Sequence, residues 1–197
     1  MQLWRLTLAL MVLAGSLLSG AAQADFIQID GFTPVIGSAN RTVTQYPLPS
    51  TSTTTNGSTF SESGGKARLT LGGNGNTAGA VELVYNFTSP IDLTDGGTND
   101  QFFLVMDSIT RPEALEGESA LQVSINVTGG GKTGTYSTSI GEVPGGQSLA
   151  LNFYCDVNPV CFYQGQQPDF SSITQIKVWL AFPTNYATNA DTTQVVM

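Results

Sequence analysis

Histidine is absent from this 197-residue chain, and cysteine occurs only twice. Without imidazole, no Ser–His–Asp or Cys–His nucleophile can be assembled, and no His-ligated metal site can form. Basic side chains are scarce as well: 7 Lys and Arg stand against 15 Asp and Glu, a formal charge of −8. So small a basic set cannot line up the stripe that neutralises phosphates, which excludes nucleic acid as a partner. Charged residues make up only 11% of the chain. After residue 24 there is no run long and apolar enough to cross a bilayer. Helical periodicity is missing too; residues 112–118 offer one turn at most.

What is present begins with an address. Residues 1–24 carry Arg5, an apolar stretch over 6–18 and the small-x-small triplet Ala22-Gln23-Ala24, the pattern of a signal peptide. The stretch falls short of the ~20 residues a spanning helix needs, and Gly15, Ser16, Ser19 and Gly20 interrupt it. Cleavage after Ala24 is expected to leave residues 25–197 as a single domain with no membrane span. That domain would be secreted, periplasmic or at the cell surface. Such compartments are oxidising, so Cys155 and Cys161 are expected to pair across the turn signal Asn158-Pro159. So short a loop would fix a local turn and add little chain entropy.

Beyond residue 25, period-2 patterns alternate with Gly, Asn, Asp, Ser and Pro clusters. Segments 26–32, 66–71, 80–87, 102–109, 120–128, 135–143, 148–155 and 173–182 read as strands, with 194–197 as a last one. The Thr/Ser-rich stretch 46–65 reads as a long loop or ragged edge hairpin. Residues 72–76, Gly-Gly-Asn-Gly-Asn, read as a hairpin connection between 66–71 and 80–87. Segment 102–109 is apolar at both parities, the mark of a central strand. In 120–128, Leu121, Val123, Ile125 and Val127 fall on one face, with Gln122, Ser124, Asn126 and Thr128 on the other. The fold class is all-β: an antiparallel β-sandwich, jelly-roll-like. An outer-membrane barrel is excluded, because the strands lack aromatic girdles and a lipid-facing apolar face.

The opening FIQIDGF, the middle VELVYNFTSPIDLT and the late DFSSITQIKVWL resemble secreted bacterial β-sandwich domains of the galactose-binding or carbohydrate-binding jelly-roll type. Domains of that type are frequent in exported proteins with a PEP-type sorting tail. The residues Gln194-Val195-Val196-Met197 carry no Pro-Glu-Pro, apolar tail or basic end. The resemblance therefore implies the fold and an extracellular setting, and no anchoring mechanism.

Three kinds of chemistry remain to be weighed. Catalysis is the poorest fit. A glycosidase needs two carboxyls facing across a cleft, and most acids here fall in loops, with Glu82 as the main one set in a strand, on the Ala80/Val84 face. The chain is therefore read as no enzyme. Calcium is the second. Asp92, Asp95, Asn99 and Asp100 crowd one glycine-containing loop whose oxygens suit a calcium ion, or alternatively serve Asx-turns between strands. The resemblance to jelly-roll domains adds Asp30 and Asp191 as a second pair for a structural calcium.

The third is a sugar platform. In 173–182, Ile176, Val178, Leu180 and Phe182 share one face, leaving Gln175, Lys177 and Trp179 on the other. In 148–155, Leu149, Leu151, Phe153 and Cys155 point inward, leaving Asn152 and Tyr154 outward. An aromatic face stacks on the C–H side of a pyranose, and amide or ammonium groups bond its hydroxyls. Two readings of Trp179 stay open: exposed on this face, or covered by a loop such as 163–170. The sequence thus points to a binding module for carbohydrate or another cell-surface polymer through Asn152, Tyr154, Gln175, Lys177 and Trp179. The alternative is a structural matrix or surface protein that self-associates along an edge strand.

Overall fold

The computed structural model describes residues 29–30, 32, 41–46, 58–74, 77–97, 99–110, 120–143, 145–153, 164–181 and 191–197. The expected signal peptide, Tyr154, Cys155 and Cys161 lie outside these residues. Thirteen strands are formed among them: β1 (Arg41–Tyr46), β2 (Thr59–Ser63), β3 (Lys66–Asn74), β4 (Thr77–Ala78), β5 (Ala80–Ile91), β6 (Gln101–Met106), β7 (Ser108–Thr110), β8 (Leu121–Gly129), β9 (Lys132–Ile140), β10 (Gln147–Asn152), β11 (Gln164–Gly165), β12 (Ile173–Ala181) and β13 (Asp191–Val196).

Alternation sets the main layer. In β8 every odd-numbered residue from Leu121 to Gly129 is buried and every even one is half-buried; β12 repeats this with Ile176, Val178 and Leu180 inside. A strand with such a pattern must lay one face on a core and show the other to water. The six-stranded antiparallel sheet β1-β5-β12-β8-β9-β11 results. Its inner face aligns Leu83, Val178 and Ile125 in one row and Val81, Leu180 and Val123 in the next. Gly130 and Gly131, at φ 59° and 73°, close the β8–β9 hairpin with the two left-handed residues a tight turn of this twist requires.

A second layer covers that face. It consists of the sheet β2-β3-β13-β7 and the pair β10-β6. Leu69, Leu71, Ile109, Leu151 and Val195 from these strands share one buried cluster with the inner face of the six-stranded sheet. Each such side chain removed from water contributes roughly 1.5–3 kcal/mol. The molecule is an antiparallel β-sandwich, as its sequence indicates.

Several strand expectations need correction. Residues 66–71 and 80–87 do not form a hairpin: β3 pairs with β2, β4 and β13, whereas β5 pairs with β1 and β12 in the other sheet. The end of β3 pairs instead with the two-residue β4. The stretch 46–65 contains β2, and the alternating Arg41–Tyr46, unnoticed in the sequence, forms β1. Ile29, Asp30 and Phe32 lie outside any strand.

The segment 102–109 is no central strand buried on both faces. It breaks at Asp107 into β6 and β7, and β6 pairs only with β10 among the named strands. Phe103 and Val105 are consequently 41% and 55% exposed. An apolar run looks the same in sequence whether its second face is covered or bare. The C-terminal strand β13 is central in its sheet, flanked by β3 and β7.

Candidate functional site

The outer face of the six-stranded sheet carries the side chains at the opposite parity from the core. Register places Glu82, Trp179, Ser124 and Ser137 in one row across β5, β12, β8 and β9. The next row holds Val84, Lys177, Asn126 and Thr135, and the one after it Asn86, Gln175, Thr128 and Thr133. Three of the sequence-predicted residues, Gln175, Lys177 and Trp179, thus sit side by side on this face, each half-buried.

Trp179 is half-buried. Phe170 is buried in the core, stacked on Phe153. Among the described residues, the ring of Tyr46 meets Trp179, at a centroid separation of 4.6 Å and an interplanar angle of 52°. Tyr46 stands opposite Ala80 on β5, and Ala80 stands opposite Ala181 on β12. The two small residues let the flanking rings approach one another. Tyr46 stays 37% exposed, and its hydroxyl donates to Glu82 Oε1 at 3.3 Å. Loss of water around the ring and then the Glu82 carboxylate raise its phenol pKa above the ordinary 10.0.

The remaining polar groups hold each other in place. Gln175 Nε2 donates to Asn86 Oδ1 at 2.7 Å, Ser137 Oγ to Ser124 Oγ at 3.1 Å, and Thr135 Oγ1 to Asn126 Oδ1. Thr128 and Thr133 share a hydroxyl–hydroxyl bond of 2.8 Å. Such pairs orient the side chains yet leave further donor and acceptor capacity on each amide and hydroxyl. The result is a polar, preorganised surface with one aromatic corner.

Asn152 does not belong to it. Its strand, β10, lies in the covering layer, where Gln101 Nε2 donates to Asn152 Oδ1 at 2.8 Å. Strand alternation marks Asn152 as outward, but outward from the other sheet. Tyr46 and Glu82 are the members that sequence reasoning left out of the site. The signals were the alternation Thr42, Thr44, Tyr46 and the in-strand placement of Glu82.

The sequence-predicted calcium ligands occupy separate places. In the 92–100 loop, Asp92 Oδ1 accepts from Thr94 N at 2.8 Å and from Thr94 Oγ1 at 2.5 Å, while Oδ2 accepts from Gly96 N at 3.2 Å. These bonds, that of the Thr94 hydroxyl first, hold its carboxyl below the ordinary carboxylate range. Asp95 adopts φ 47° and is exposed, as is Asp100, and the Asn99 amide closes the loop on the Thr94 carbonyl at 2.8 Å. Asp191 pairs with Gly73 of β3 in the covering layer.

Asp30 takes part in an internal clasp. Its carboxylate receives Arg41, the Tyr85 hydroxyl at 3.0 Å and the Phe32 amide at 2.8 Å. Arg41 also pairs with Glu62 and lies 5.4 and 5.5 Å from the Phe32 and Phe60 ring centroids. Asp30 and Phe32 are tied there to β1, β2 and β5. Among the described residues no three Asp, Glu, Cys or His side chains gather to hold a metal ion.

No family model matches this chain, and no curated protein does. Among solved structures it is similar to an agarase, AgWH50C, at TM-score 0.47 and 12% identity over 80% of this chain. It spans only 23% of that agarase's length. It is also similar to the family 11 carbohydrate-binding module of the Clostridium thermocellum cellulase Lic26A-Cel5E (TM-score 0.42, 14% identity, 86% of this chain and 89% of the module). A third is TmCBM61 in complex with β-1,4-galactotriose (0.39, 6%, 88% and 97%). Such distant likenesses do not say what this chain binds.

Proposed function

We propose that this chain is an exported, non-catalytic module that binds carbohydrate on the outer face of its six-stranded sheet. The export follows from the signal-peptide pattern and the resemblance to jelly-roll domains of PEP-sorted proteins. The observation that carries the binding is the Tyr46–Trp179 corner set among oriented hydroxyls and amides. Aromatic rings on a polar sheet face supply the apolar contact a pyranose needs, and the flanking groups supply its hydrogen bonds. Gln175, Lys177, Glu82 and Asn86 are the polar neighbours assigned to hydroxyl recognition.

Tryptophan fluorescence tests this directly. With residues 1–24 removed, Trp179 is the one tryptophan left. A saturable emission shift with a soluble glycan is the expected result, together with retention by that glycan in affinity electrophoresis that is lost in Trp179→Ala while the fold persists. A quencher-shielded emission that no glycan moves would overturn the reading.

A second reading, association of copies in a surface layer, is favoured by one observation: the exposure of Phe103 and Val105 on β6. Because β13 is central, the edge it would use is not the C-terminal one. Sedimentation of the protein and of Val105→Lys decides it: a concentration-dependent oligomer abolished by the charge supports association, and a monomer throughout removes it.

A further inference from the structure

Resting on the carbohydrate reading above, we infer that the platform takes an uncharged, single glycan chain and holds it without a metal ion. Charge is the first argument. Among the described residues of the outer face, Lys177 is the one cation and Glu82 the one carboxylate, on neighbouring strands and in adjacent rows. Every other polar side chain in the three rows is a hydroxyl or an amide. A sulfated or uronate-bearing polymer needs convergent cationic donors, the guanidinium fork above all. Among the described residues the face has no arginine; Arg41 belongs to the other parity of β1 and is committed to Asp30 and Glu62. The field of a chain at −8 repels polyanions further.

Ring geometry is the second. A flat crystalline surface is met best by coplanar rings. Tyr46 and Trp179 are tilted 52° to one another, so both cannot lie against one plane. A single chain free to turn between successive sugars can address both.

Metal independence follows from the same census. Bridging a sugar through calcium takes six to eight oxygens, several of them carboxylate. Among the described residues this face offers Glu82 alone, and its Oε1 already accepts the Tyr46 hydroxyl.

The test uses the secreted chain and soluble glycans of matched backbone with and without charge: hydroxyethyl- against carboxymethyl-cellulose, and unsulfated against sulfated galactan. Crystalline cellulose is added as a pull-down. Each binding measurement is repeated with EDTA and with added salt. A neutral soluble glycan should bind, its charged counterpart should bind at least about tenfold more weakly, and neither EDTA nor salt should change the neutral affinity. Tighter binding of the charged partner, loss in EDTA, or equal capture by the crystalline surface would overturn it while leaving a carbohydrate function standing. Failure of every glycan to bind would overturn the carbohydrate reading itself.

Discussion

Two pairs of aromatic rings, one in the core and one on the surface, meet at almost the same distance and do opposite things. Phe153 and Phe170 stack at 4.2 Å with an angle of 8°, and each is 1% exposed. Tyr46 and Trp179 meet at 4.6 Å with an angle of 52°, and Tyr46 remains 37% exposed. In the first pair both rings are surrounded, so their whole area is removed from water and stabilises the fold. In the second, Glu82 accepts the Tyr46 hydroxyl, Lys177 stands two residues from Trp179 on the same face, and part of each ring's area is left exposed. Contact distance alone does not separate a core pair from a surface pair. What lies around the rings does.

That contrast can be broken at several points. The largest effect should come from Phe170→Ala, which leaves a cavity beside Phe153 and costs about 3–5 kcal/mol, read as a fall in the urea midpoint. A change of less than about 1 kcal/mol would mean the stack is not a core element.

Next is Tyr85→Phe, which removes a buried donor to Asp30 and costs about 1–2 kcal/mol at neutral pH. Burial first, and then the Asp30 carboxylate, raise the Tyr85 phenol far above its ordinary 10.0. The folded state therefore keeps a proton that the unfolded state loses, and stability is present below about pH 10 and falls as pH rises beyond it. Denaturation midpoints measured across that range should fall less steeply in the Phe variant.

Trp179→Ala should cost the fold only about 1 kcal/mol yet abolish glycan binding, the reverse of the Phe170 result. Equal losses in both would show that the two ring pairs do the same work. The smallest effect is expected of Glu82→Gln, which removes the charge beside Tyr46. The Tyr46 phenol should then ionise at lower pH, seen by ultraviolet titration against Tyr46→Phe, with the denaturation midpoint unmoved.

How far the site could be read in advance depended on which residues carried it. Trp179, Lys177 and Gln175 were legible because β12 alternates cleanly, and alternation assigns a face without reference to any partner strand. Tyr46 was not, because its strand is only six residues long and runs into a Thr/Ser-rich stretch that masks its pattern. Asn152 was misplaced for a different reason. Periodicity states that a side chain points outward, but not from which of two sheets. The mistaken hairpin of 66–71 with 80–87 is the same error at the level of whole strands: adjacency in sequence stood in for pairing in space.

Sequence by itself determined the all-β class, the two faces of β8 and β12, and the absence of histidine chemistry, because composition and period are local properties of the chain. Tertiary structure alone decided which strands share a sheet. It brought Tyr46 against Trp179 across Ala80, placed Asn152 in the opposite layer and left Phe103 and Val105 partly exposed on β6. Those outcomes depend on pairing between segments far apart in the chain, where each choice is settled by the packing of the whole sandwich and not by any window of neighbouring residues.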